Sequence, residues 1–137
     1  MGRIIAIDYG RKRTGLAVTD PLQIIATALD VIDSPRLINY LKSYFQKEEV
    51  DEIVIGLPKT LDNKEDEWAQ HVRAVGDHIQ KTFPTKTLHW LDERFTTKIA
   101  LRSMVDSGMK KKDRQVKGNA DKISATIILQ DFMSSRK

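Results

Sequence analysis

The sequence predicts an α/β fold, a five-stranded mixed sheet flanked by helices. Three β-rich runs follow one another near the amino end of the chain, separated by short turns that permit antiparallel pairing. Helical patterns then alternate with short, continuous apolar runs, which is typical of buried parallel strands. The 137 residues fit one domain, residues 1–137, since domains usually run about 100–200 residues.

The first three strands are expected to form a meander. Residues 4–9 and 14–20 are β-rich and flank a polar loop, residues 10–13, which begins with glycine. A third run, residues 24–32, follows Pro21. Successive strands joined this closely pair antiparallel, so we expect them to lie side by side in chain order.

The rest of the chain alternates helix with strand. Ser34 and Pro35 predict the N-cap and first turn of a helix. Residues 53–58 form a continuous apolar run, as expected of a buried parallel strand. The remaining predicted elements are a helix around residues 68–79, a strand at 87–91, a helix at 97–105, a loop at 110–118 and an apolar helix at 121–133.

Composition narrows the class of protein. The chain has no cysteine, which excludes disulfide frameworks, cysteine nucleophiles and thiolate zinc sites, and fits a reducing cytosol. The amino end has a charged residue, Arg3, at its third position and no long apolar stretch. Neither a signal peptide nor a membrane span is therefore expected. The net charge of +4 is concentrated around residues 11–13 and 110–117. Such basic clusters attract polyanions, so nucleic acid is the expected partner and a membrane is not.

Three acidic residues sit where a metal-dependent nuclease needs them. Asp8 ends an apolar strand, Glu93 follows another, and Asp121 opens the last helix. Hydrolysis of a phosphodiester requires activated water and neutralised charge, which hard cations held by carboxylates supply. Each acid also has an ordinary structural role open to it. Asp8 suits a turn, Asp121 suits a helix N-terminus and Glu93 can pair with Arg94.

Basic and hydroxyl side chains around these acids are candidates for phosphate binding. Arg11 and Arg13 follow Asp8 in the chain, whereas Lys12 fits a solvated loop tip. Thr96 suits either a helix cap or a phosphate contact. The predicted nucleic-acid-binding residues are Arg11, Arg13, Arg94, Thr96, Lys110, Lys111, Lys112, Arg114 and Lys117. His71 and His78 are interpreted as surface residues, and Trp68 and Trp90 as core or edge packing.

Four separated motifs carry a family resemblance over nearly the whole chain. In order, they are Ile7-Asp8-Tyr9-Gly10 with Arg13-Thr14-Gly15-Leu16-Ala17 and Thr19-Asp20-Pro21; Ile53-Val54-Ile55-Gly56-Leu57-Pro58; Asp92-Glu93-Arg94-Phe95-Thr96-Thr97; and Asp121 with Ala125 and Ile128-Leu129-Gln130. The chain resembles the YqgF family, also called RuvX, of pre-16S rRNA nucleases and Holliday junction resolvases.

The resemblance implies a ribonuclease H-like fold and a cytoplasmic hydrolase that uses one or two Mg²⁺ or Mn²⁺ ions. By position, Asp8, Glu93 and Asp121 match the family's catalytic metal ligands. Two departures stand out. RuvC-type relatives carry an acid at the end of the central strand, where this chain has Gly56, and the residues around Asp121, such as Ser124, are smaller than expected.

Three functions follow as hypotheses. The first is a metal-dependent endonuclease that processes the 5′ end of pre-16S rRNA, with branched DNA as the alternative substrate. The second is a non-catalytic RNA-binding factor in ribosome assembly. The third, phosphotransfer of the actin and sugar-kinase type, ranks last because those proteins need two such domains. The protein is expected to be a monomer or a homodimer, and cutting both arms of branched DNA calls for the symmetric dimer.

Overall fold

The computed structural model describes residues 2–59, 64–93 and 119–136, with side chains in the last segment from residue 123 onward. The predicted helix at 97–105 and the predicted loop at 110–118 lie outside the described residues. The elements are β1 (Arg3–Asp8), β2 (Arg13–Thr19), β3 (Ala26–Asp33), a 3-10 turn (Ser34–Arg36), α1 (Leu37–Lys47), β4 (Val50–Leu57), α2 (Glu67–Thr82), β5 (Thr87–Asp92) and α3 (Asn119–Ser135).

The five strands form one mixed sheet in the order β3-β2-β1-β4-β5. The meander β1-β2-β3 is antiparallel, whereas β4 pairs parallel with both β1 and β5. The predicted mixed sheet flanked by helices is therefore confirmed. Because β4 returns parallel to β1 and β5 returns parallel to β4, these three strands end at the same edge of the sheet.

The central strands are buried on both faces, which explains their continuous apolar runs. In β1, Ile5 and Ile7 pack with α1 and α2 on one face. Ile4 and Ala6 pack with α3 on the other face. Successive side chains along a strand point to opposite faces of the sheet. The parity of a residue, meaning its odd or even position along β1, therefore assigns it to the α1/α2 face or to the α3 face.

Helix α3 covers its face of the sheet and runs antiparallel to β4. Ile128 lies over Gly56, near the end of β4, whereas Arg136 donates to Glu52 at the start of that strand, at 2.7 Å. The apolar helix predicted at residues 121–133 is confirmed and is slightly longer. Its buried apolar residues, Ala125, Ile128, Leu129 and Phe132, contact the sheet. The amino end of α3 therefore lies toward the edge where β1, β4 and β5 end.

The link from β3 to α1 differs from the prediction at Ser34. The 3-10 turn begins at Ser34, and α1 follows from Leu37, so Ser34 does not cap an α-helix. Its buried hydroxyl instead donates to the carbonyl oxygen of Gly10 and lies 2.8 Å from the Thr14 hydroxyl. Its backbone N–H donates to the Lys12 carbonyl oxygen at 2.9 Å. Ser34 therefore fastens both ends of the loop that follows Asp8.

Strand β3 begins at Ala26, two residues later than predicted, because the preceding residues are folded around Asp20. The Asp20 carboxylate accepts the N–H groups of Ile24 and Ile25 at 2.7 Å and of Leu22 at 3.2 Å. The Ile25 N–H holds the pKa of Asp20 below its ordinary value, although desolvation acts in the opposite direction. The N–H groups of Ile24, Asp20 and Leu22 lower this pKa further. This loop leaves three large apolar side chains, Leu22, Ile24 and Ile25, largely exposed.

None of the helices in the described segments combines the length and the apolar character that a membrane span requires.

Replacing Ser34 with alanine should destabilise the protein by about 1–3 kcal/mol, because Thr14 and the Gly10 carbonyl lose a buried hydrogen-bonding partner. Urea unfolding measures the change. Ser43 is an exposed serine on α1 and provides the matched control. Ser43→Ala should change the free energy of unfolding by no more than about 0.5 kcal/mol. Equal effects of the two substitutions would contradict the role of Ser34.

Candidate active site

Asp8 lies at the carboxyl end of β1, beside Gly56 of β4. Ile7 pairs with Ile55 in the parallel register, so the next residue of each strand, Asp8 and Gly56, follow side by side. Asp8 has the parity of Ile4 and Ala6, which places it on the α3 face of the sheet. Its side chain is half-buried.

Glu93 reaches the same place from the other side of β4. Strand β5 pairs parallel with β4, with Leu91 opposite Gly56, and Glu93 comes directly after the strand ends. The Oε1 atom of Glu93 lies 2.6 Å from the position that a Cβ atom would take on Gly56. The Glu93 carboxylate therefore lies against the bare backbone of Gly56, and the fold brings Glu93 and Asp8 to one edge and one face.

Gly56 is the departure that the sequence showed from RuvC-type relatives, and the geometry gives its physical reason. An acid at position 56 would project from the central strand into this space. Here the space is filled by the carboxylate of Glu93, with Ile128 Cδ1 of α3 also 2.7 Å from the same Cβ position. Only a residue without a side chain leaves room for both, so Gly56 and Glu93 form a matched pair.

Asp92, the acidic neighbour of Glu93, faces the opposite way. Trp90 packs on the α1/α2 face and Leu91 on the α3 face, so alternation returns Asp92 to the α1/α2 face. There, its Oδ2 lies 3.9 Å from Nζ of Lys59. Of the two adjacent acids, Glu93 is the one that shares a face with Asp8.

Asp121 lies in the first turn of α3, and its side chain is outside the described part of the structure. Its backbone is two helical turns before Ile128, about 10 Å along the axis. Since Ile128 lies over Gly56 and α3 runs antiparallel to β4, this turn lies toward the edge that carries Asp8 and Glu93. Ser124, which is smaller than expected at its position, has a packing role, because it is buried next to the buried Ala125.

The fold thus brings two acidic residues, Asp8 and Glu93, to one edge and one face of the sheet. Among the side chains that the structure describes, no three histidine or acidic groups are arranged to hold a metal ion. Asp8 and Glu93 each also make a polar or electrostatic interaction with another part of the protein. Carboxylate oxygens are the donors that Mg²⁺ and Mn²⁺ prefer, so the chemistry of the pair suits a hard cation.

The predicted phosphate-binding residues divide into two groups. Arg11 and Arg13 are described, with Arg11 exposed in the loop after β1 and Arg13 half-buried at the start of β2. The Arg11 guanidinium lies over the indole ring of Trp68, 4.3 Å from its centroid. The remaining predicted residues lie outside the described residues; they are Arg94, Thr96, Lys110, Lys111, Lys112, Arg114 and Lys117.

Sequence reasoning missed an aromatic cluster beside this edge. Trp68, interpreted as packing, does contact the core but is also within 5.8 Å of the Tyr9 ring and 5.4 Å of the His71 ring, between centroids. Its signal in the sequence was the spacing of Trp68 and His71, because residues three apart share one side of a helix. The contribution of Tyr9 depends on the tertiary fold, so that spacing alone did not reveal the cluster.

Replacing Gly56 with alanine should destabilise the protein by about 1–3 kcal/mol, because the added methyl group collides with the Glu93 carboxylate and with Ile128. The cost should fall in a Glu93→Ala background, where one of the two colliding groups is gone. A double-mutant cycle by urea unfolding measures this coupling. Strictly additive effects would show that the Gly56–Glu93 contact does not determine the cost.

Sequence comparison assigns the chain to a family. The family model RuvX, described as Holliday junction resolvase, matches residues 2–135. Full-length relatives include proteins of Flavobacterium johnsoniae, 49% identical over 100% of this chain and 99% of the relative, and of Bacteroides thetaiotaomicron, 47% identical over 100% and 99%. Both carry the name "Putative pre-16S rRNA nuclease".

Solved structures agree on the fold. Thermus thermophilus RuvC, in complex with a Holliday junction substrate, matches with a TM-score of 0.59 at 15% identity, covering 99% of this chain and 96% of RuvC. A second RuvC structure from that organism gives a TM-score of 0.55 at 11% identity, with coverage of 98% and 95%. The sheet order and these matches confirm the expected ribonuclease H-like fold. The chain belongs to the RuvX family and is a hydrolase of the nuclease type.

Proposed function

We propose that this protein is a divalent-metal-dependent endonuclease that cuts the 5′ region of pre-16S rRNA during ribosome biogenesis. The observation that supports it most is the Glu93 carboxylate, which lies on Gly56 beside Asp8 where three parallel strands end. The full-length relatives named for pre-16S rRNA support this choice of substrate. The whole chain, residues 1–137, would act as a single domain.

Asp8, Glu93 and Asp121 would hold one or two Mg²⁺ or Mn²⁺ ions. When bound, such ions lower the pKa of water and neutralise charge on the phosphodiester. The strands hold Asp8 and Glu93 from two sides of Gly56, and α3 brings the backbone of Asp121 toward the same edge. Carboxylates fixed on strands and a helix keep their positions better than groups carried on loops.

The basic residues would hold the phosphate backbone of the substrate at this edge. Arg11 and Arg13 follow Asp8 in the chain, and guanidinium groups bind phosphate through paired hydrogen bonds. Arg94, Thr96 and the basic residues between 110 and 117 would extend the contact. An RNA precursor substrate would place the protein in the cytoplasm, and a monomer would suffice for a single cut.

Asp8→Asn and Glu93→Gln should each reduce cleavage more than about a hundredfold, because each removes a charged ligand for the cation. The measurement is the rate of cut-product formation from a pre-16S rRNA 5′ fragment in Mg²⁺ or Mn²⁺, with binding followed separately. Asp92→Asn is the matched control, since Asp92 adjoins Glu93 but faces the other side of the sheet. It should leave cleavage within a few-fold of the parent protein.

Two results would contradict the mechanism. One is cleavage that survives Asp8→Asn in a preparation free of other nucleases. The other is salt-sensitive RNA binding with no cleavage in any divalent metal, which would favour the non-catalytic assembly factor.

Branched DNA is the second candidate substrate, favoured by the description of the family as Holliday junction resolvases. Cutting a four-way junction on two arms calls for a symmetric dimer. Cleavage of a four-way junction, compared with the RNA fragment at equal concentrations, separates the two candidates. Sedimentation of the protein on the junction then tests for the dimer that two cuts require.

A further inference from the structure

A group of aromatic and cationic side chains lies at the end of β1, on the α1/α2 face of the sheet. It consists of Tyr9, Arg11, Trp68 and His71, and is called here the aromatic platform. The three rings lie within 5.4–5.9 Å of one another, between centroids. The Arg11 guanidinium lies over the Trp68 ring at 4.3 Å. These residues and Glu67 line an open pocket of about 370 Å³.

Packing of the core explains only part of this arrangement. Tyr9 and Trp68 are half-buried and touch the core with one side. Arg11 and His71, by contrast, are exposed, so burial in the core does not account for their contacts with the Trp68 ring. The rings are held by a strand end and a helix, so they are positioned before any ligand arrives.

The chemistry of the pocket selects a nucleobase rather than a phosphate. Aromatic rings and guanidinium planes are the groups on which unpaired bases stack. Glu67 would repel a phosphate, but its carboxylate can accept a hydrogen bond from an exocyclic amino group of a base. His71 adds a second polar group at the rim of the pocket. A base inside a duplex has both faces covered, so only an unpaired base can stack here.

The platform lies next to the proposed cleavage site. Tyr9 directly follows Asp8, and successive strand residues face opposite sides of a sheet. Asp8 therefore belongs to the α3 face and Tyr9 to the α1/α2 face of the same strand end. A nucleic-acid strand that crosses the end of β1 can place a phosphate at Asp8 and a neighbouring base on the platform.

We propose that the aromatic platform is a binding subsite for an unpaired nucleobase beside the scissile phosphate. This inference rests on the proposed function and narrows it, since the substrate is then single-stranded or locally unpaired at the cut. The ligand is identified by its chemistry, a flat heterocycle with an exocyclic amino group. Adenine and cytosine fit better than uracil, which offers no amino group to Glu67.

The chain has two tryptophans, which provides a direct measurement. In Trp90→Phe, Trp68 is the one remaining indole, and in Trp68→Phe it is Trp90, which packs against Gly76 in the core. A short single-stranded RNA, added in EDTA so that no cutting occurs, should quench the emission of Trp68 and leave that of Trp90 unchanged. An abasic strand of the same length is the control for phosphate contacts and should quench neither.

The affinity for single-stranded RNA provides a second measurement. It can be made with an Arg11 variant, so it remains informative even if substitution of Trp68 impairs folding. Arg11→Lys keeps the charge but removes the planar group, at an exposed position. It should weaken binding of single-stranded RNA by about fivefold, within the range for loss of one stacked base. Binding of the abasic strand should weaken less than binding of the RNA, because a lysine keeps the charge that attracts phosphate, and the dependence of affinity on salt should stay unchanged. Trp68→Leu should weaken single-strand binding by about tenfold, with its fold checked by thermal melting.

Quenching by the abasic strand, equal quenching of both indoles, or unchanged RNA affinity of Arg11→Lys would overturn the proposal. Failure here is distinguishable from failure of the proposed function. If Asp8 and Glu93 are needed for cleavage but Trp68 is not quenched, the subsite is wrong and the nuclease mechanism stands. If Trp68 is quenched without any cleavage, the platform binds a base in a protein that does not cut.

Discussion

The parallel pairing of β1, β4 and β5 is the constraint on which the proposed site depends. Asp8 and Glu93 are far apart in the sequence, and each stands at the end of a strand. Strands that run in one direction finish at one edge, so Asp8 and Glu93 come to the same edge of the sheet, on either side of Gly56. An antiparallel β5 would carry Glu93 to the far edge of the sheet. Helix α3, which runs against β4, brings the chain back to the edge where the strands end.

The two faces of β1 give its end two different chemistries. Asp8 lies on the face that α3 covers, the same face on which the Glu93 carboxylate lies against Gly56. Tyr9, one residue later, joins the aromatic and cationic side chains on the face of α1 and α2. The loop that follows is held at both ends by Ser34. The short stretch from Asp8 to Arg11 thus holds a carboxylate, an aromatic ring and a guanidinium group at fixed positions relative to one another. A flexible loop would not maintain these positions.

Much of this fold could be predicted from the sequence, because the strands and helices have strong apolar periods. The assignment of Ser34 as a helix cap was wrong, since its hydroxyl bonds to a loop that only the tertiary fold brings near. The late start of β3 follows from three backbone hydrogen bonds to Asp20, which no periodicity reveals. Asp8, Glu93 and Asp121 were predicted to form one site, and the described strands bring Asp8 and Glu93 to one edge. The role of Gly56 was not predicted, because it depends on the register between β4 and β5.

The contact between Gly56 and Glu93 also bears on how such sites diverge. A carboxylate can reach this spot from β4 or from the end of β5, and there is room for only one. Transfer of the acid from one strand to the other therefore requires two coordinated substitutions. A single substitution would leave either two side chains competing for the space over Gly56 or no carboxylate in that space. Proteins with the acid on β4 and proteins with the acid after β5 would therefore rarely interconvert in evolution. A sequence alignment at either position would understate how similar their sites are in space.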